Sequence, residues 1–541
     1  MSFSKTFAFN IMRITQTKLN FFCAIFFVLL SNRSFFQHVV EIYPITLKNC
    51  GFLISLVVGL TAFILFFLTL VSSKYTIKPV LILLLLTASI TAYFMDTLNV
   101  VIDHTMLQNV FQTNFKETAD LLSVKLLLYW VLLGVLPAFV VFKIQLEPMS
   151  WQKSTLAKLK TAGISVVVVL GLVLVFSKFY ASFFREHKPL RYYTNPTYLL
   201  YSIGKYINKN FYTAKKVVSP LGLDAKIPAT DTDRELIILV VGEAVRADRF
   251  SLNGYERETT PLLRKEDVVS FTQMYSSGTS TAFSVPCMFS NFPRDLFDER
   301  KGESNENLLD VLQHAGVHVL WRDNNSDSKG VATRVLYQDY KQRSINSMCD
   351  DIECRDEGML VGLQDYINAQ QQGDVVIVLH QMGNHGPAYY KRYPAAFERF
   401  TPTCQTNQLD ECTNEEISNA YDNTVLYTDY FLQKVISLLK DNTSRFETAM
   451  VYMSDHGESL GEYGIYLHGL PYAMAPDNQK HIASVLWFGD SFKIDKKALQ
   501  QKVNQPFSHA NLFHTMLGLM EIETAVYNKN MDIIHDCKFP E

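Results

Sequence analysis

The 541-residue sequence lacks an excess of either charge: 50 Lys and Arg stand against 53 Asp and Glu, a net of −3. General polyanion binding is therefore not expected, and no nucleic-acid partner is implied. There is no internal repeat and no low-complexity tract. No small-residue cleavage site follows the first apolar run, so that run reads as an anchor rather than a removable signal. Ionisable residues are nearly missing from the long apolar runs before residue 185, which argues against a transport pathway. Cysteine is sparse, eight in all. Cys23 and Cys50 lie in or beside apolar runs, and the other six lie beyond residue 280.

What is present divides the chain between two solvents. Gly51–Ser72, Pro79–Met95, Val124–Phe142 and Gly163–Tyr180 are each near the ~20 apolar residues that cross a bilayer. A fifth span, Leu19–Val40, is interrupted by Asn32 and Arg33. Lys5, Arg13 and Lys18, then Lys74 and Lys78, then Lys143, Lys153, Lys158 and Lys160 cluster on alternate connections. The positive-inside rule places those connections and the N-terminus in the cytoplasm, and five crossings place the rest of the chain outside. Three regions follow: a membrane domain (1–185), a Pro- and Tyr-rich interfacial bridge (186–230) and a soluble domain (231–541). The close pairs Cys349/Cys354 and Cys404/Cys412 suit an oxidising compartment. Each such short loop would contribute about 2 kcal/mol in the chain-entropy account. Cys287 and Cys537 are left over, either as two buried thiols or as one long-range bridge.

Beyond residue 234, apolar runs alternate with helical patterns. "LIILVV", "VHVLW", "VVIVL", "AMVYM" and "SVLWF" read as buried strands, and Glu415–Lys440 as an amphipathic helix. The alternation predicts an α/β domain with a largely parallel sheet. In such sheets ligands gather at the strand carboxyl ends. There stand Glu243, then "HQMGNHG" with His380 and His385, then "SDHGES" with Asp455 and His456; "YLHG" adds His468. Carboxylates and imidazoles converging from separate strands are a ligand set that suits zinc. The stretch "SSGTSTAFSVPCMFS" crowds hydroxyls at the start of a helix, and a metal-activated hydroxyl is a nucleophile. Ser276, Ser277, Thr279, Ser280, Thr281 and Ser284 are all candidates, with Thr281 placed at the helix start, where free N–H groups face an anion.

"VVGEAVRADRFSLNGYER", "GTSTAFSVPCMFS", "WRDNNSDSKGV", "HQMGNHGPAYYKRY", "AYDNTVLYTD" and "SDHGESLGEYGIYLHG" together resemble the lipid A phosphoethanolamine transferases, including the mobile colistin-resistance enzymes. "HKPLRYY" and "MLQNVFQTNFKET" carry the resemblance into the bridge and membrane region. The resemblance implies five membrane helices and a periplasmic α/β domain of the alkaline-phosphatase/sulfatase type. It implies an inner-membrane monomer that moves phosphoethanolamine from phosphatidylethanolamine to a lipid A phosphate, lowering surface charge and giving polymyxin resistance. Thr281 falls on the family's nucleophile. Glu243, Thr281, Asp455 and His456 fall on the ligands of a tightly held zinc. His385 and His468 fall on positions serving the donor phosphate, the leaving oxygen or a second zinc. Asn325 and Lys329 match residues beside the phosphoethanolamine group, and Asn109, Thr113 and Glu117 match the lipid-substrate cavity. The alternative is a phosphoglycerol transferase of the lipoteichoic-acid type; a sulfatase lacks support, because no C-x-P-S-R or S-x-P-S-R is present. One departure stands out. Relatives commonly carry a Cys four residues before the nucleophile, bridged to the position of Cys287, and here that residue is Ser277.

Overall fold

The computed structural model describes residues 13–112, 119–211 and 217–538. The chain forms two compact units, residues 1–107 with 122–209, and residues 108–121 with 210–541.

In the first unit, helices Leu47–Val71, Ile77–Leu98, Val124–Lys143 and Trp151–Val175 are each long and apolar enough to cross a membrane. Gln16–Leu30 and Arg33–Ile42 add a fifth crossing if taken as one span, bent by 57°. Asn32 accounts for the break. Its amide donates to the Phe27 carbonyl at 2.9 Å, capping the first helix, and to the Asn195 carbonyl at 2.5 Å. Elsewhere hydroxyls start the helices: Thr46 Oγ accepts from the Asn49 amide and Ser123 Oγ from the Leu126 amide, as N-caps do. One span departs from the sequence expectation. Instead of Gly163–Tyr180, the helix begins at Trp151 and ends at Val175, and Ser177–Glu186 is a separate helix. Its early turns hold Lys153, Lys158 and Lys160, whose long side chains can reach polar surroundings while their stems stay apolar.

The second unit is built on a seven-stranded sheet. In chain order its strands are β1 (Glu235–Gly242), β2 (Val268–Ser270), β3 (His318–Asp323), β4 (Leu336–Asp339), β5 (Val375–His380), β6 (Glu447–Ser454) and β7 (Ser484–Phe488). The spatial order is β2-β7-β6-β1-β5-β3-β4, and only β7 runs against the others. The five central runs were legible; the short edge strands β2 and β4 were not. Side chains of β1 alternate between two cores. Ile237, Leu239 and Val241 face one, shared with helices Leu308–His314 and Ala510–Leu519; Leu236, Ile238 and Val240 face the other. That second core is covered by Asn414–Lys440, which buries Ile417, Tyr421, Val425, Phe431, Leu432 and Val435. The helix opens on a capping box, Thr413 with Glu416, a device that satisfies two orphan amide donors. Each fully buried aliphatic or aromatic side chain contributes about 1.5–3 kcal/mol.

Register is what makes a site. Asp323 pairs with His380, His380 with Val241, and Val241 with Met453. Four neighbouring strands therefore end level, and the residue after each end emerges on one rim.

Disulfides join Cys349 to Cys354 and Cys404 to Cys412. The Cys287–Cys537 bridge is not formed; both thiols are free and buried. Cys287 lies in helix Thr281–Met288, with the buried Ser277 side chain close to its thiol. Cys537 sits in the terminal turn, where its carbonyl takes the Asp495 amide. Each thiol has its own packing site, and neither is drawn to the other.

Candidate active site

Glu243 follows β1 directly and is fully buried. Asp455 and His456 follow β6 and are equally buried. The Asp455 amide donates to the Gly242 carbonyl, and the Asn384 amide to the Glu243 carbonyl, so three loops are stitched together at the rim. Gly383 adopts φ +49°, and a Cβ there would lie 3.1 Å from Glu243 atoms, so the glycine permits this close approach. Thr281 is the first residue of helix Thr281–Met288, after Ser280 in extended conformation.

These groups meet at the His456 ring. Its Nδ1 lies 2.8 Å from the Gly457 carbonyl, which takes the ring N–H and leaves Nε2 for the centre. Nε2 stands 3.3 Å from Glu243 Oε1, 3.4 Å from Asp455 Oδ2 and 3.3 Å from Thr281 Oγ. Thr281 Oγ in turn donates to Glu243 Oε2 at 3.1 Å. Glu243 Oε1 and Asp455 Oδ2 are buried and have no hydrogen-bond partner. Such orphaned carboxylate oxygens are costly, and a divalent cation among them would satisfy both. Ligand atoms of Glu243, His456 and His468 also lie within 4.8 Å of one another. The field points the same way. Burial opposes charge on His456, yet Asp455 and Glu243 outweigh it and lift the imidazole to about 10. Burial, helped by Glu243, raises Asp455 to about 6. The centre favours positive charge.

The other sequence-selected residues sort around it. Asn325 reaches in from the loop after β3, donating to Glu243 Oε2 at 2.8 Å and to the Gln381 carbonyl at 2.7 Å. The His468 ring centroid is 4.1 Å from that of His456 and 5.9 Å from that of His385. Lys329 bonds Ser326 at its carbonyl (2.9 Å) and hydroxyl (2.7 Å). It lines a cavity of about 400 Å³ with Ala282, Pro286, Asp327 and Gln108. Asn109 lies in helix His104–Gln112 and is half-buried. Thr113 and Glu117 lie outside the described residues. His380 faces inward, with Nδ1 2.9 Å from Asp323 Oδ2 and neither side chain exposed.

Two supporting residues escaped the sequence reading. Glu458 is fully buried, with Oε2 3.3 Å from His468 Nδ1, and burial raises its carboxyl to about 8. Its position inside "SDHGES" was the available signal. His509 receives the Ser277 amide on Nδ1 at 3.0 Å and lies 2.9 Å from the Ser454 carbonyl through Nε2. It ties the hydroxyl loop to β6 without a covalent bond, and nothing in its sequence surroundings marked it.

Comparison with known proteins accords with this geometry. Residues 60–211 match the family described as phosphoethanolamine transferase EptA/EptB, and residues 235–522 match the sulfatase family. Phosphatidylethanolamine transferase Mcr-2 of Escherichia coli is 45% identical over 478 residues, covering 86% of this chain and 88% of the relative. Phosphoethanolamine transferase EptA of Escherichia coli K12 is 40% identical over 517 residues, 94% of each chain. Among solved structures, the integral membrane protein lipooligosaccharide phosphoethanolamine transferase A of Neisseria meningitidis superposes with a TM-score of 0.93 at 38% identity. The superposition covers 98% of this chain and 100% of that one. Four long apolar helices with a bent fifth pair, a sulfatase-type sheet and full-length similarity of this order lead to one conclusion: the chain belongs to the phosphoethanolamine transferase family.

Proposed function

We propose that this protein transfers phosphoethanolamine from phosphatidylethanolamine to a phosphate of lipid A through a covalent intermediate on Thr281. The observation that carries the reading is the Thr281 hydroxyl, held between Glu243 Oε2 and His456 Nε2 at the start of a helix. Glu243 is placed to take the hydroxyl proton. Thr281 Oγ then bonds to the donor phosphorus, the phosphorus–oxygen bond to diacylglycerol breaks, and the leaving oxygen takes up a proton. His385 and His468 line the side on which that oxygen would be hydrogen-bonded. In the second half, an oxygen of the lipid A phosphate attacks the same phosphorus and Thr281 recovers its proton. Amide N–H groups at the helix start face the phosphoryl oxygens. The product phosphate carries an added amine, so the surface is less anionic and binds cationic peptides such as polymyxins less well.

The metal we assign is zinc, held by Glu243, Thr281, Asp455 and His456, with His468 in reach and a second ion at His385 and His468 as the extension. Donors about 2.0–2.1 Å from a tetrahedral zinc stand about 3.4 Å apart. The separations from His456 Nε2, 3.3–3.4 Å, suit that spacing. When bound, zinc lowers the pKa of a coordinated hydroxyl and neutralises phosphoryl charge. Asn325 and Lys329 are assigned to the phosphoethanolamine group, and Asn109, with Thr113 and Glu117, to the lipid cavity. The soluble domain, taken as residues 231–541, is placed in the periplasm, with a monomer in the inner membrane. The supports are the positive-inside pattern, two disulfides and the family.

The test is mass spectrometry of lipid A from cells making wild type or Thr281→Ala. Wild type should add phosphoethanolamine and the variant none, at equal membrane abundance. Modification by the variant, or none by wild type, contradicts the reading.

A further inference from the structure

Asp120 lies in the connection between two membrane helices, yet it belongs to the same compact unit as the sheet. It is 8% exposed, and it is held by cations distant in sequence. Lys391 Nζ bonds Oδ1, and Arg392 Nη2 donates to Oδ2 at 3.2 Å. The Asn407 amide donates to its backbone carbonyl. Arg392 is the hub: its side chain is 1% exposed, pairs with Glu353 and donates through Nε to the His385 carbonyl at 2.6 Å.

The receptacle is built from two cross-linked loops. Glu353 lies inside the Cys349–Cys354 loop and Asn407 inside the Cys404–Cys412 loop. The other end of the His385 loop is fixed separately. Met382 and Gly383 amides donate to Asp356, and the Asn384 amide donates to the Glu243 carbonyl. Arg392 secures the His385 end, and its charge needs a carboxylate at each side to stay buried.

We infer that Asp120 is a positioning residue for the transfer reaction, setting His385 through the Arg392 guanidinium. The inference rests on the role proposed for His385 above. Loss of the Asp120 charge takes one carboxylate from Arg392, whose guanidinium then shifts toward Glu353, away from the His385 carbonyl. Displacement of a catalytic group by about 1 Å costs on the order of 100-fold in rate. Because the effect falls on the reacting step, KM for the lipid donor should change little.

The experiment uses the full chain in phosphatidylethanolamine-containing proteoliposomes, with kcat and KM measured separately and melting followed in parallel. Asp120→Asn should lower kcat by roughly 10–100-fold with KM within about threefold. Asp120→Glu, which keeps the charge, should recover most of the rate. Lys391→Met removes the partner that does not reach His385 and should keep kcat within about threefold. In a His385→Asn background, Asp120→Asn should cost little more, because both changes remove one function. Full additivity in that background, wild-type kcat for Asp120→Asn, or a loss in Lys391→Met equal to that in Asp120→Asn overturns the inference. If Asp120→Asn melts below the assay temperature, the glutamate and methionine variants decide it: a folded Asp120→Glu without activity refutes the clamp. If wild type transfers nothing, it is the proposed function that fails, not the clamp.

Discussion

Restoring the missing staple beside the nucleophile gives a sharp stability prediction. Ser277 and Cys287 are buried neighbours. Ser277→Cys places a second thiol against Cys287, and oxidation should bridge them. Closing a loop of about ten residues removes unfolded-state entropy worth roughly 2.5–3 kcal/mol. For a domain of about 300 residues, unfolding entropy is near 0.6 kcal/mol/K, so the soluble domain should melt about 4 °C higher. The Ser277 amide bond to His509 is a backbone contact, so the substitution leaves it in place. The assay is thermal unfolding of the detergent-solubilised chain, with the bridge confirmed by non-reducing peptide mapping. Ser277→Cys combined with Cys287→Ser is the control and should show no gain. A mapped bridge with no rise in melting temperature would refute the claim that this loop is free to lose entropy.

Three further outcomes follow from the same contacts. Asn325→Ala removes a donor from Glu243 Oε2 and should lower turnover by about 10–100-fold; steady-state rates equal to wild type count against Asn325 as part of the site. Chelation should abolish transfer, and zinc should restore it where magnesium does not, since the donor set pairs imidazole with carboxylates; full activity after exhaustive chelation contradicts a metal role. At the opposite end of the sheet, burial and then Asp374 raise Glu235 to about 9. A raised carboxyl favours the fold fully below about pH 4.5 and progressively less as pH climbs toward its folded value. Glu235→Gln should therefore stabilise the domain at pH 8 and lose that advantage near pH 4.5. Equal denaturation midpoints at pH 8 exclude it.

The central strands were readable because parallel strands buried on both faces become uninterrupted apolar runs, as in Leu236–Val241. The edge strands were not: Val268–Ser270 and Leu336–Asp339 are three and four residues long, too short for any period to show. The site was partly legible for the same reason as the strands. Glu243, Asp455 and His456 stand directly after them, so the strand ends announced their residues. His468 and Asn325 depend on loops, and the resemblance was needed to single out Asn325 and to choose Thr281 among six hydroxyls. Glu458 and His509 were missed because their significance lies in burial, which a loop sequence does not reveal. The start of the last span, Trp151–Val175, was missed because three lysines made its first turns look soluble. Asp120 is the extreme case: its cations lie 271 and 272 positions away, and only the folded chain brings them together.

The covalent intermediate is the central claim, and peptide mapping tests it most directly. The full chain is incubated with phosphatidylethanolamine without acceptor, quenched in acid and digested. The account predicts phosphoethanolamine on the peptide spanning Ser276–Met288, localised by fragmentation to Thr281 and discharged when lipid A is added. An adduct on another residue, or transfer at the wild-type rate with no adduct on Thr281, contradicts it.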